Sequence, residues 1–184
     1  MKKRGILWGT KYVVIGPMQY SDGQPIRQKI FKKLSTIGMT GFDHYNKPFL
    51  FNSEEGDSTR EELKHWMETE QYDKVTEKRD IRLADLALID YSDFVICYFD
   101  KRIPTCGTWE EFFWANRLKR PIFFINVGGK KETPFWVLWT IPHKYIYNDE
   151  DEVLDVLFKI NKGEISIDSK RWKLLKPEFR QIQS

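Results

Sequence analysis

Four short runs, apolar on both faces, constrain this 184-residue chain more than any other feature. They are "YVVIG" (Tyr12 to Gly16), "DFVICYF" (Asp93 to Phe99), "PIFFINV" (Pro121 to Val127) and "KYIY" (Lys144 to Tyr147). A strand with one wet face alternates apolar and polar residues, whereas a strand without a polar face must be covered on both sides. Helical patterns fill the gaps between the runs. From Pro25 to Ile37, the residues Ile26, Ile30, Phe31, Leu34 and Ile37 form one stripe, and Gly38 stops it. Further helices are expected over Val75 to Ile89, Thr108 to Lys119 and Asp149 to Ile160, with a polar one near Arg60 to Gln71. Strands alternating with helices predict an α/β fold, a flavodoxin-like or Rossmann-like parallel sheet with helices on both faces. One domain is expected over residues 1–184, with a polar, mildly basic tail from about residue 162. Residues 40–60 read as irregular, and "TPFWVLW" reads as a short helix or an apolar loop.

Parallel sheets of this kind bind ligands beyond the carboxyl ends of their strands. Three loops are therefore the places to look: "GPMQYSDG", "DKRIPTCGT" and "NVGGKKE". Composition narrows what they can hold. A net charge of +3 is too small to argue for nucleic acid. No stretch approaches the roughly 18 apolar residues of a membrane span, and "MKKRGILWGTKYVVIG" lacks the pattern of a signal peptide. Cys97 and Cys106 have no paired spacing, which fits a reducing cytoplasm. His44, His65 and His143 are scattered, so a metal site is not expected. Aromatic residues reach 15%, and so many rings need a core, a pocket or an oligomer interface.

The stretch "TCGTWEEFFWA" places Glu110 and Glu111 among Trp109, Phe112, Phe113 and Trp114. Apolar surroundings make a carboxylate costly to ionise unless it is paired or used. Thr108-x-x-Glu111 has capping-box spacing, which would turn Glu111 back onto its own helix. The same position, in a first helical turn beside a ligand loop, also suits a carboxylate that attacks a sugar carbon with oxocarbenium character. Glu110 points about 100° away and reads as solvated or ion-paired. Asp85 sits in "LADLAL" and reads either as a buried ion pair, with Arg82 as partner, or as a site residue.

The pieces "VVIGP", "DLALIDYSD" and "GTWEE", followed by Ala115-x-x-x-Lys119-Arg120-Pro121-Ile122, together resemble the nucleoside 2-deoxyribosyltransferase family. The match spans roughly Tyr12 to Val127. The resemblance implies cleavage of the N-glycosidic bond of a nucleoside or nucleotide, with transfer to another free nucleobase, by chemistry that needs no metal and no organic cofactor. It implies Glu111 as nucleophile, Asp85 as the residue that handles the base, and Tyr12 as a group orienting the nucleophile. Candidate substrate contacts are Gly16, Pro17 and Met18 in the first loop, Gly107 and Thr108 at the helix start, and Asp93 at the entry to the second strand, which also reads as a cap or turn group. It further implies a homo-oligomer, because the classical transferases complete their site with a residue from a neighbouring subunit. The chain departs from the pattern at Thr105, where some members have an aspartate, and at the bulkier Phe112-Phe113-Trp114. Two rival readings are a hydrolase of a nucleotide or NAD-type molecule and a non-catalytic nucleotide-binding module.

Overall fold

A computed structural model describes residues 4–18, 24–45, 47 and 56–180. Five parallel strands form one sheet: β1 (Lys11–Ile15), β2 (Thr40–Phe42), β3 (Phe94–Asp100), β4 (Ile122–Val127) and β5 (Ile146–Tyr147), in the order β2-β1-β3-β4-β5. This is the flavodoxin-like order, whose switch point lies between β1 and β3. The helices are α1 (Gln24–Ser35), α2 (Asp57–Glu68), α3 (Tyr72–Glu77), α4 (Asp80–Asp90), α5 (Gly107–Arg117), α6 (Phe135–Thr140), α7 (Glu150–Lys162) and α8 (Pro177–Arg180).

Strand side chains alternate between the two faces of the sheet. On one face Tyr12 meets Phe31 of α1, and α1 packs beside α7. On the other face Phe124 meets Phe112 of α5, and α5 packs beside α4. β3 and β4 are buried almost throughout, as their sequences required.

Two elements differ from the sequence expectation. β2 lies inside the segment read as irregular. Its sequence, Thr-Gly-Phe, is too short to show a period, and it is admitted by close contact: a Cβ on Gly41 would come within 2.3 Å of the Phe31 ring. The helix expected over Val75 to Ile89 is two helices, broken at Lys78 and Arg79. No apolar stripe crosses "TEKRD", so packing does not hold a single axis there. The segment after residue 162 folds back onto the domain and buries Ile167, Trp172, Leu174 and Leu175, with the Trp172 ring 4.5 Å from that of Tyr145. "TPFWVLW" forms α6, which buries Val137 and exposes Phe135, Trp136 and Trp139. Among the described residues, no helix is long and apolar enough to cross a membrane.

Candidate active site

At the switch point, four charged side chains from three parts of the chain converge. His44 and Lys47 follow β2, Asp85 is on α4, and Glu111 is on α5. His44 Nε2 lies 2.7 Å from Glu111 Oε1 and 3.8 Å from Asp85 Oδ1. Lys47 Nζ lies 2.7 Å from the same Asp85 oxygen. His44, Lys47 and Glu111 are buried, and the Asp85 side chain keeps 17% of its surface open.

Local structure explains why these groups meet. α4 and α5 are laced together on both sides of the carboxylates. Arg82 binds Glu110, with Nε donating to Oε2 at 2.8 Å, and Trp114 Nε1 donates to Asp90 Oδ1 at 2.9 Å. Asp85 and Glu111 therefore face one another from neighbouring helices. Glu110 is ion-paired, as its helical angle suggested, and its partner is the Arg82 that the sequence offered to Asp85. The capping box is not formed. Thr108 N donates to Thr105 Oγ1 at 3.3 Å, and the two threonine hydroxyls bond each other at 2.6 Å. Thr105 thus serves the helix start, and Glu111 is directed to His44 instead.

The protonation of the pair follows from its surroundings. Burial is the largest influence on His44 and lowers its pKa. The charge and hydrogen bond of Glu111, with the charge of Asp85, outweigh burial and the opposing Arg27, so the net shift is upward from 6.5. His44 Nδ1 is buried without a hydrogen-bond partner among the described residues, so Nε2 carries the proton shared with Glu111. The Lys47 ammonium supplies the counter-charge of Asp85.

Beside this cluster opens a cavity of about 540 Å³, within the usual range for small-molecule sites. Its walls include Gly16 and Met18 after β1, Thr105 to Thr108 before and within α5, Leu63 of α2, and Lys78, Arg79 and Arg82 where α3 gives way to α4. The first loop is pinned through its own carbonyls. Arg27, itself buried, donates through Nη2 to Gly16 O at 3.1 Å, and Arg60 Nη1 donates to Met18 O at 2.9 Å. A Cβ on Gly16 would stand 2.9 Å from the Tyr98 carbonyl, so only glycine lets β1 end this close to β3.

Of the residues singled out in the sequence, Glu111, Asp85, Gly16, Met18, Gly107 and Thr108 line this cavity together. Pro17 is buried beside them but is not part of the wall. Tyr12 and Asp93 lie elsewhere. The Tyr12 ring is on the α1 face of the sheet, between Phe31 and Phe94, and burial pushes its hydroxyl pKa up. It faces away from α5 and cannot orient Glu111. Asp93 precedes β3, at the amino end of the sheet, where its carboxylate accepts a hydrogen bond from Lys11 N at 2.8 Å. It is a turn group remote from the cavity.

His44 and Lys47 were missed because they follow the unrecognised β2. The available signal was "GFDHYNK", a polar cluster after a glycine-containing apolar step, which would have been a fourth carboxyl-end loop once that step was read as a strand.

His44, Asp85 and Glu111 each offer a ligand atom, all within 4.8 Å of one another. A divalent cation there would have to displace the Lys47 ammonium from Asp85 and the imidazole from Glu111, so the donor set is better described as an ion-paired cluster.

No family model matches the chain, and no curated protein matches it. Among solved structures, the Clostridium botulinum CMP N-glycosidase BcmB is similar, with 14% sequence identity and a TM-score of 0.46. The alignment covers 81% of this chain and 99% of that one. At this identity the likeness concerns fold only, and the chemistry rests on the atoms of the site.

Proposed function

We propose that the protein cleaves the N-glycosidic bond of a nucleoside or nucleotide through a glycosyl ester on Glu111, and that a second base then accepts the sugar. The carrying observation is that Glu111 does not cap its helix. It is buried and held by His44 at the edge of an open cavity that Asp85 also lines. An oxygen of Glu111 and one of Asp85 lie within 4.8 Å of each other, so both carboxyl groups can bear on one glycosidic bond. Glu111 attacks the anomeric carbon, and Asp85 contacts the base. The transfer step follows the sequence resemblance.

Hydrolysis is the second reading, and one observation favours it. His44 touches the same Glu111 oxygen and is placed to take a proton from a water attacking the ester. The cavity rim also bears on substrate. Lys78 and Arg79 have no carboxylate partner among the described residues, so the rim favours a sugar that carries a phosphate.

The test is incubation with a panel of deoxynucleosides, nucleosides and their 5′-phosphates, with and without a different free base, followed by chromatography. A new nucleoside or nucleotide shows transfer, whereas free sugar and base alone show hydrolysis. Glu111→Gln should abolish base release. No release from any substrate, or undiminished release by Glu111→Gln, refutes the proposal.

A further inference from the structure

We infer that His44 is the proton reservoir for the departing base, that Asp85 passes its proton on, and that Lys47 is a positioning residue that holds Asp85 for the hand-over. This rests on the reading of Glu111 as nucleophile and changes the part Asp85 plays in it. Asp85 is one half of an ion pair, with the Lys47 ammonium 2.7 Å from its oxygen, and an anion is a poor primary source of a proton. The proton must come from a neighbour.

Among the described residues, the charged and titratable groups that act on His44 are Glu111 from α5, Asp85 from α4 and Arg27 from α1, with Cys97 of β3 near Glu111 and Lys47 on Asp85 completing the cluster. Arg27 does not release its proton, and burial drives the Cys97 thiol well above its usual value. Lys47 keeps Asp85 as its counter-ion throughout the reaction, so no step makes it more acidic, and His44 remains, with Nε2 2.7 Å from one carboxylate and 3.8 Å from the other. Its proton is held chiefly by the charge of Glu111, and that charge disappears in the reaction. As Glu111 Oε bonds to the anomeric carbon, the C–N bond breaks and its electron pair moves onto the base nitrogen. Glu111 becomes a neutral ester, and the imidazolium loses its counter-ion inside a buried site. His44 becomes more acidic at the moment the base needs a proton. The proton passes from Nε2 to Asp85, and from Asp85 to the base nitrogen. His44 ends neutral and Asp85 ends as the carboxylate bound to Lys47. In the second half, neutral His44 takes a proton from the attacking water or acceptor base. The ester bond breaks, Glu111 returns as carboxylate, and the ion pair is restored. The starting charges are recovered without an external acid.

The test uses the full-length protein and a nucleotide of the panel that releases base, beside a 4-nitrophenyl glycoside of the same sugar. Nitrophenolate departs as a stable anion and needs no proton. For wild type, kcat/KM on the nucleotide should fall as pH rises through the raised His44 value, whereas the nitrophenyl glycoside should not share that basic limb. His44→Gln should lower kcat/KM on the nucleotide by about 10²–10⁴-fold and remove the basic limb, whereas the pre-steady-state burst of nitrophenolate, which comes before His44 acts on the attacking water or base, should slow far less. Equal losses on both substrates, or parallel pH profiles in the wild type, overturn the inference. Wild type that releases neither base nor nitrophenolate overturns the nucleophile reading and this inference with it. If His44→Gln fails to fold, the two wild-type profiles decide the matter alone.

Discussion

Glu111→Gln changes the electrostatics of the cluster with almost no change in shape, and its effect on stability should depend on pH in one direction only. In the wild type His44 carries a raised pKa because Glu111 and Asp85 together outweigh burial. A group whose folded pKa exceeds its unfolded value adds stability fully below the unfolded value, here 6.5. That stability is lost as pH rises through the folded value. Glutamine keeps a hydrogen-bond partner for Nε2 but removes the charge, so burial should then dominate and lower the His44 pKa. Breaking a buried ion pair costs about 3–5 kcal/mol when the orphaned charge must stay buried. His44 avoids the full cost by deprotonating, and a neutral imidazole–amide contact survives. The penalty should therefore be nearer the roughly 1–3 kcal/mol of an altered buried hydrogen bond. It should be largest near pH 5–6. For a chain of this size about 1 kcal/mol corresponds to roughly 2–4 °C in Tm. Paired thermal melts of wild type and Glu111→Gln at half-unit steps from pH 5 to 9 give the difference directly. The gap should narrow as pH rises past the folded His44 value. A gap that stays constant, or widens toward alkaline pH, refutes the account of the pair.

Trp172→Ala should destabilise the fold by about 3–5 kcal/mol, because the ring is 1% exposed against Tyr145; denaturant titration checks it, and a loss near zero would mean that the C-terminal segment is not part of the core. The rings of α6 are where we expect copies of the chain to associate, since Phe135, Trp136 and Trp139 are 75%, 62% and 74% exposed. Light scattering at micromolar concentration should show more than one chain per particle, and Trp136→Ser with Trp139→Ser should reduce it; a monomeric wild type refutes the expectation. Arg79→Ala should weaken base release from 5′-phosphates while leaving the unphosphorylated substrates unaffected, and equal effects on both would remove the phosphate from the rim.

The sequence alone determined four of the five strands of the sheet. "DFVICYF" and "PIFFINV" have no polar face, so they had to be buried on both sides, and only helices on both faces of a parallel sheet supply that cover. It also placed Glu111 near a pocket, because the start of a helix after a central strand lies at the carboxyl edge of the sheet, whereas Asp85 was joined to it by the family resemblance alone. For Asp93 the same logic separates its two readings, since a residue that precedes a parallel strand lies at the opposite edge, as a turn group. Tyr12 needed the register. One residue along β1 changes the face of the sheet, and the Tyr12–Phe31 contact put this ring on the side away from α5. The spacing Thr108-x-x-Glu111 fitted a cap and a nucleophile equally well, because local sequence sets where a side chain starts and not what arrives to meet it. Only the tertiary structure brought His44 and Lys47 to the carboxylates. They come from an edge strand of three residues, too short for any period to show, and what places them is the pairing of Tyr12 with Gly41 across the sheet.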